Sequence, residues 1–341
     1  MPVPNFELPV PNFEGGVLKN ERSECILKLL SWVFMVKKKG NNFRILWIAL
    51  LDVFLIASVF YLITGRVIRS SIETNVFDQE LTIARAEASN IKSFVKAVGN
   101  SITIIAQSND IKVGSNLSER VLDDYVSNWR AGGVIAGVVL VDSKGVVRNN
   151  SNILGTHSIG TSVADRDYFI WAKSQDRSGN YFVGNPVISR LGASKDQTIV
   201  PIASPIFMNG TFQGVVTTSV LLRPLTQEYL NMMKIDNSTN VYLIDENGRV
   251  LYENGGPALD EELVKSLNMR VAGRLKSEGR YIAYVPVTLS AQNWLLIVNT
   301  SNQKILIHTA TFHLRQFLVL LLISCISVGS IIFVHNKSIK A

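Results

Sequence analysis

The chain has 341 residues, 47% of them hydrophobic, and a formal charge of +7. It is too apolar for an ordinary water-soluble domain and too polar for a multi-span transporter; a few membrane spans joined to a soluble domain would average to this composition. The basic excess is not a nucleic-acid footprint, because no basic stripe with interleaved aromatics occurs, and no HExxH, GxSxG or Walker motif points to an enzyme.

Two heptapeptides open the chain, PVPNFEL from Pro2 and PVPNFEG from Pro9. Two copies cannot build a solenoid, and the Pro-rich composition predicts a disordered cytoplasmic arm over 1–44. MVKKKGNNFRILW from Met35 reads as a natural start, a basic stretch leading straight into an apolar one. No small-residue cleavage site follows, so the segment reads as an uncleaved signal anchor and residues 1–34 as carrying no function. The first predicted transmembrane helix is 45–63, with one charge, Asp52, and with Trp47 and Tyr61 near its ends, where amphipathic rings favour the interface. Asp52 is costly in lipid and is read as a polar contact across a dimer of spans.

From Val67 the apolar residues Ile68, Ile72, Val76, Ile83, Ile91, Phe94, Val98, Ile102 and Ile105 recur at gaps near 3.6 without a proline. They predict one long amphipathic helix over 66–105, continuous with the span. Two stretches then echo each other, GVVLVDSKGVVRNN from Gly137 and VYLIDENGRVLYEN from Val241. Each is an apolar strand, an Asp-x-x-Gly turn and a second strand, which predicts a hairpin. Further strand-like runs follow both hairpins: YFVGNPVIS, TIVPIASPIF and GVVTTSVLL after the first, YIAYVPVTL and WLLIVNT after the second. A spacing near 100 residues means two similar domains rather than short repeats. The predicted fold class is α+β: a long N-terminal helix with two antiparallel-sheet modules (106–222 and 236–300), each with helices to one side, linked by a helix over Leu222–Ile235.

The second apolar window, Phe317–Val334, predicts a transmembrane helix over 314–335, followed by a short tail over 336–341. Lys37, Lys38, Lys39 and Arg44 flank the first span, and Lys337 and Lys340 the second, whereas residues 66–313 hold 24 Lys plus Arg against 22 Asp plus Glu. Basic flanks stay inside, so both termini are expected in the cytoplasm and 64–313 outside a plasma membrane. Cys25 and Cys325 both lie outside that segment, so it must be stable by packing alone. The sequence stops about seven residues past Val334, where no output domain fits; the expectation is the input half of a split or truncated receptor, with signalling through a partner's spans and a lost output as the alternatives.

A signal-anchor span, a long helix, two PAS-like modules and a second span, in this order, resemble the double Cache sensor domain of bacterial membrane receptors. The residues carrying the resemblance are ADRDYFIWAK (164–173), YFVGNPVISR, PIASPIFMNGTFQGVV (201–216) and RYIAYVPVTLSAQNWLLIV (280–298). It covers most of the chain, from Val67 to Thr300. It implies that a small molecule binds the membrane-distal module; a homodimer is expected, with no cofactor, metal or nucleic acid. The aromatic and charged cluster in that module is Asp165, Arg166, Asp167, Tyr168, Phe169 and Trp171, with Tyr125 and Trp129 upstream. Arg offers a planar fork for a carboxylate, and aromatic walls bury the rest of a ligand. The same residues also suit a helix start capped by Asp165, with Tyr168 and Phe169 in the core. Amino-acid-binding relatives resemble one another in an Arg paired with a Trp, and an Asp on a later strand for the ammonium. Arg166 matches the Arg, Tyr168 stands where the Trp would be, and Ser219 where the Asp would be. Without that carboxylate a buried ammonium would go unpaired, so a small carboxylate or another anion is expected rather than an α-amino acid. The rival expectation is a non-catalytic surface or accessory subunit that lends its outer domain to a separate signalling protein.

Overall fold

A computed structural model describes residues 42–233, 239–277 and 279–340. The heptapeptide arm, Cys25 and Met35 lie outside the described residues. Contacts divide the chain into two units, residues 65–314 and the pair of segments 1–64 and 315–341.

Helix α1 covers Asn42–Gln107. Within the larger unit its buried stripe is Ala84, Ala88, Ile91, Val95, Val98, Ile102 and Ile105, alternating gaps of four and three that keep one face to the core. Helix α2 (Asn109–Val113) stops at Gly114, which takes the left-handed conformation at φ 67°. Helix α3 (Ser118–Trp129) buries Leu122, Tyr125 and Val126.

The first sheet comprises β1 (Ile135–Asp142), β2 (Val147–Asn152), β3 (Phe182–Val183), β4 (Val187–Ile188), β5 (Thr198–Met208) and β6 (Thr211–Leu221). Its order is β2-β1-β6-β5-β3, with β4 also on β5, and all pairings are antiparallel. Helix α4 (Asp167–Lys173) lies in the β2–β3 connection and α5 (Leu222–Leu230) follows β6. The second sheet comprises β7 (Thr239–Ile244), β8 (Val250–Glu253), β9 (Gly273–Ser277), β10 (Arg280–Thr288) and β11 (Asn293–Ser301), in the order β8-β7-β11-β10-β9. Helix α6 (Glu261–Ser266) joins β8 to β9 and is capped by Asp260, whose carboxylate accepts the Glu262 N–H at 3.0 Å.

The two hairpins use one turn chemistry. Asp142 Oδ1 accepts the N–H groups of Lys144 and Val146, each at 2.9 Å. Asp245 Oδ1 accepts those of Asn247 at 3.0 Å and Arg249 at 2.9 Å. Gly145 and Gly248 then take positive φ, which side-chain-bearing residues resist. The predicted hairpins are both present, while β9, with the polar sequence GRLKS, is a strand the sequence pattern does not announce.

One core runs along α1 and under both sheets. Val138, Leu140, Val200, Ile202, Val216 and Val220 of the first sheet and Val241, Leu243, Val285, Leu296 and Val298 of the second share it with the α1 stripe. Each large side chain in it contributes roughly 1.5–3 kcal/mol by leaving water. Alternation sends Val139, Val141, Ala203 and Val215 to the opposite face of the first sheet, where α4 covers them. The first sheet therefore carries helices on both faces rather than one.

Helix α7 covers Asn302–Lys340. Two helical stretches, Phe54–Gln107 and Thr309–Ser330, are long and apolar enough to cross a membrane. Their large apolar side chains, among them Phe54, Ile56, Leu62, Leu318, Leu322 and Ile326, are exposed, and so is that of Asp52.

Candidate functional site

The loop and helix over the outer face of the first sheet hold most of the predicted site. Arg166 is extended (φ −80°, ψ 141°) and the helix α4 begins after it. Its start is held by Asp167, whose Oδ1 accepts the Tyr168 N–H at 2.7 Å and whose Oδ2 accepts the Asn185 N–H at 3.2 Å. Asp165, the cap suggested by the sequence, instead pairs with Arg190 at 2.8 Å. That hydrogen-bonded guanidinium holds the Asp165 carboxyl below its usual range.

Tyr168, Phe169 and Ala172 are buried against Val139, Val141, Ala203 and Val215. Phe169 meets Phe212 edge-on at 6.0 Å, and Trp171 stacks on Phe182 at 5.1 Å. Burial pushes the Tyr168 phenol well above its ordinary range, so it stays neutral. Arg166 is half-buried and donates from Nη2 to the Ile188 carbonyl at 3.1 Å. Among the described residues it forms no ion pair. One carbonyl engages only part of its five-donor fork.

Ser219 lies on the same outer face, paired with Gly137 on one side and Pro201 on the other. Its hydroxyl is thus on the sheet that forms the floor. The 3₁₀ turn Gly192–Ser194 lies against β1 and β2 and is tied to the β2–α4 connection by Gly192 N–H donating to Ser158 Oγ at 2.9 Å. Arg166 stands where this loop and α4 meet.

Tyr125 and Trp129 lie on the other face. Tyr125 is in the α1 core and donates its hydroxyl to Thr218 Oγ1 at 3.3 Å, one residue from Ser219 but on the opposite side of β6. Trp129 meets Phe94 of α1 edge-on at 5.6 Å. The sheet backbone separates these two from Arg166, so one cavity cannot be lined by all seven predicted residues.

Several groups here escape sequence reasoning: Arg190, Phe182 and Asn185. Their only signal is that YFVGNPVISR, separated from DRDYF by eleven residues, combines aromatic residues, Gly, Asn and Arg. A separate cleft of about 450 Å³, lined by Arg223, Gln227, Asn231, Tyr252, Glu253 and Asn254 between α5 and β8, has no sequence signal at all. No group of three or more His, Cys, Asp or Glu suited to a metal ion occurs among the described residues.

A family model described as a Cache domain (dCache_1) matches residues 68–307. The chain belongs to the Cache-domain family. Similar solved structures include an extracellular ligand binding receptor from Desulfohalobium retbaense DSM5692 (TM-score 0.55, 12% identity, covering 66% of this chain and 40% of that one). This Cache protein thus spans less than half of that receptor. The ligand-binding domain of the Pseudomonas fluorescens chemoreceptor CtaA with L-isoleucine is similar at TM-score 0.50 and 18% identity, covering 71% and 98%. That of the Pseudomonas aeruginosa PAO1 chemoreceptor PctC with GABA is similar at TM-score 0.51 and 20% identity, covering 66% and 100%. At these identities the likeness is one of fold. No curated protein matches the chain. The long helix and two antiparallel sheets are those of a double Cache domain, as the sequence motifs implied.

Proposed function

We propose that this Cache protein is a membrane-anchored, extracytoplasmic small-molecule sensor, the ligand-binding input of a signal-transduction receptor. In this reading 45–63 and 314–335 cross the plasma membrane with both flanks cytoplasmic, and 64–313 lie outside as a homodimer. The membrane-distal module is 106–222, the proximal one 236–300, and 66–105 the helix that supports both. The ligand site is the outer face of the distal sheet, with Arg166 as anion anchor, Tyr168, Phe169 and Trp171 as apolar wall, and Ser219 on the floor.

The observation that carries this is the half-buried Arg166 guanidinium, without an ion pair among the described residues, at the start of the helix that covers the sheet's outer face. A partly desolvated cation gains most from a bidentate carboxylate. Ser219 carries no negative charge where the resemblance would place an Asp, so a carboxylate without an ammonium suits the site better than an amino acid. Tyr125 and Trp129, on the far side of the sheet, support the floor from below.

The test is a thermal-shift panel on the full chain in detergent, with acetate, lactate and succinate against L-isoleucine and GABA. A ligand at a hundred times its Kd adds about 2.7 kcal/mol. A small carboxylate is expected to raise Tm in the wild type and not in Arg166→Ala. A shift that survives Arg166→Ala would move the site elsewhere, and L-isoleucine or GABA as the better ligands would overturn the anion assignment. For topology, a cysteine placed at Ser266 is expected to react with a membrane-impermeant maleimide on intact cells; protection until lysis would reverse the orientation.

A further inference from the structure

The segment Tyr181–Ile188 touches every part of the larger unit that the proposed function requires to communicate. The Tyr181 ring lies over Gly99 of α1, so closely that a methyl group on Gly99 would come within 2.5 Å of it. The Tyr181 carbonyl accepts the Ser290 hydroxyl, from the β10–β11 turn of the second sheet, at 3.1 Å. Phe182 stacks on Trp171, and the Asn185 N–H is held by Asp167. The Pro186 carbonyl accepts from Arg249 Nη2 of the β7–β8 hairpin at 3.3 Å. Arg249 is itself fixed through Nε to the buried Asp245 carboxylate at 3.0 Å. Two residues on, the Ile188 carbonyl accepts from Arg166.

We propose that Tyr181–Ile188 is the coupling strap between the ligand site and the second sheet, with Arg249 as its reading residue. This rests on the assignment of the outer face as the ligand site. An anion that engages Arg166 competes with the Ile188 carbonyl for the same guanidinium. Loosening that bond leaves this end of the strap held by the short β4–β5 pairing alone, and a shift there reaches Pro186. Proline holds φ near −65° and passes movement on rather than absorbing it. Gly184 leaves the strap room to lie against the site: a side chain there would meet Pro201 Cγ at 2.8 Å and the Asp167 carboxylate at 3.2 Å. At the far end Arg249 cannot follow freely, because Asp245 is held by two backbone N–H groups. The Pro186–Arg249 bond is therefore the contact that differs between an engaged and a released Arg166. Coupling of this kind is reciprocal: what loosens the hairpin also loosens the site.

Hydrogen exchange on the full chain in detergent tests this without any ligand. Arg249→Ala is expected to speed exchange about tenfold at the Asn185 and Tyr168 amides, both held by Asp167, as a local opening. Residues 281–298 of β10 and β11 should stay protected, which shows that the variant is folded. Asp167→Asn is expected to speed the Arg249 amide in return. Changes confined to 245–253 in the first variant, or to 165–190 in the second, would refute the strap. Exchange coupled in both directions, with no ligand found in the panel above, would sink the sensing assignment alone. A ligand bound through Arg166, with Asn185 exchange indifferent to Arg249→Ala, would sink the coupling alone.

Discussion

Tyr125 and Ser219 show how fine the distinction is at the scale of single residues. Tyr125 bonds Thr218, and Ser219 is the next residue, yet the two point to opposite faces of one strand. Tyr125→Phe is accordingly expected to cost about 1 kcal/mol of stability, the net worth of one buried hydrogen bond, and to leave ligand affinity unchanged. Urea denaturation and the thermal-shift panel read the two quantities separately. Gly99 faces Tyr181 with no space between them. Gly99→Ala is expected to destabilise by about 1–3 kcal/mol, as overpacking does, despite the better helix propensity of alanine. Asp165 carries a pH signature. Its hydrogen bond from Arg190 lowers its folded-state pKa, so the contact is complete above the ordinary carboxylate value of about 3.9 and is lost as pH falls through the lowered one. A carboxyl-carbon titration by NMR is expected to move up toward the ordinary value in Arg190→Gln. The pair is exposed, so global stability should hardly follow.

At the scale of elements, the repeated Asp-x-x-Gly turn is the part most legible in the sequence. It is read correctly because an Asx turn is a local device: a carboxylate, two N–H groups and a glycine within four residues. The two copies differ in burial, which the sequence does not show. Asp245 is 2% exposed and also holds Arg249, whereas Asp142 is half-exposed. Asp245→Ala is therefore expected to lower the urea midpoint more than Asp142→Ala, because it removes a buried acceptor that holds both the turn and the Arg249 side chain. Strand β9 was not legible, since GRLKS has no apolar alternation. Pairing with β10 and ion pairs to α1 hold it in place, Arg274 to Asp78 at 2.9 Å and Lys276 to Glu73 at 3.1 Å. Helix α3 contributes through Leu122, which is fully buried. Leu122→Ala is expected to cost about 2–5 kcal/mol.

Across the whole of residues 65–314, both sheets share one core along α1. The two modules are thereby expected to unfold together. Variants that retain only Trp129, beside the first sheet, or only Trp294, fully buried in the second, should report the same urea midpoint by fluorescence. Two separated midpoints would show that the sheets fold as separate units, and would weaken the case for a strap that joins them.

The sequence by itself determined what is local and periodic. The α1 stripe follows from gaps of three and four, the apolar stretches from composition, the hairpins from Asp and Gly, and the family from motifs spread in order along the chain. Only the tertiary structure decided which residues share a surface. Arg166, Tyr168 and Ser219 are separated from Tyr125 and Trp129 by a sheet, and no spacing in the sequence says which face of β6 meets α1, because strand alternation has a period of two but no absolute sign. The same holds for Asn185, Pro186 and Arg249. They are unremarkable in sequence and meet only because antiparallel pairing brings the end of one hairpin against the loop of another sheet.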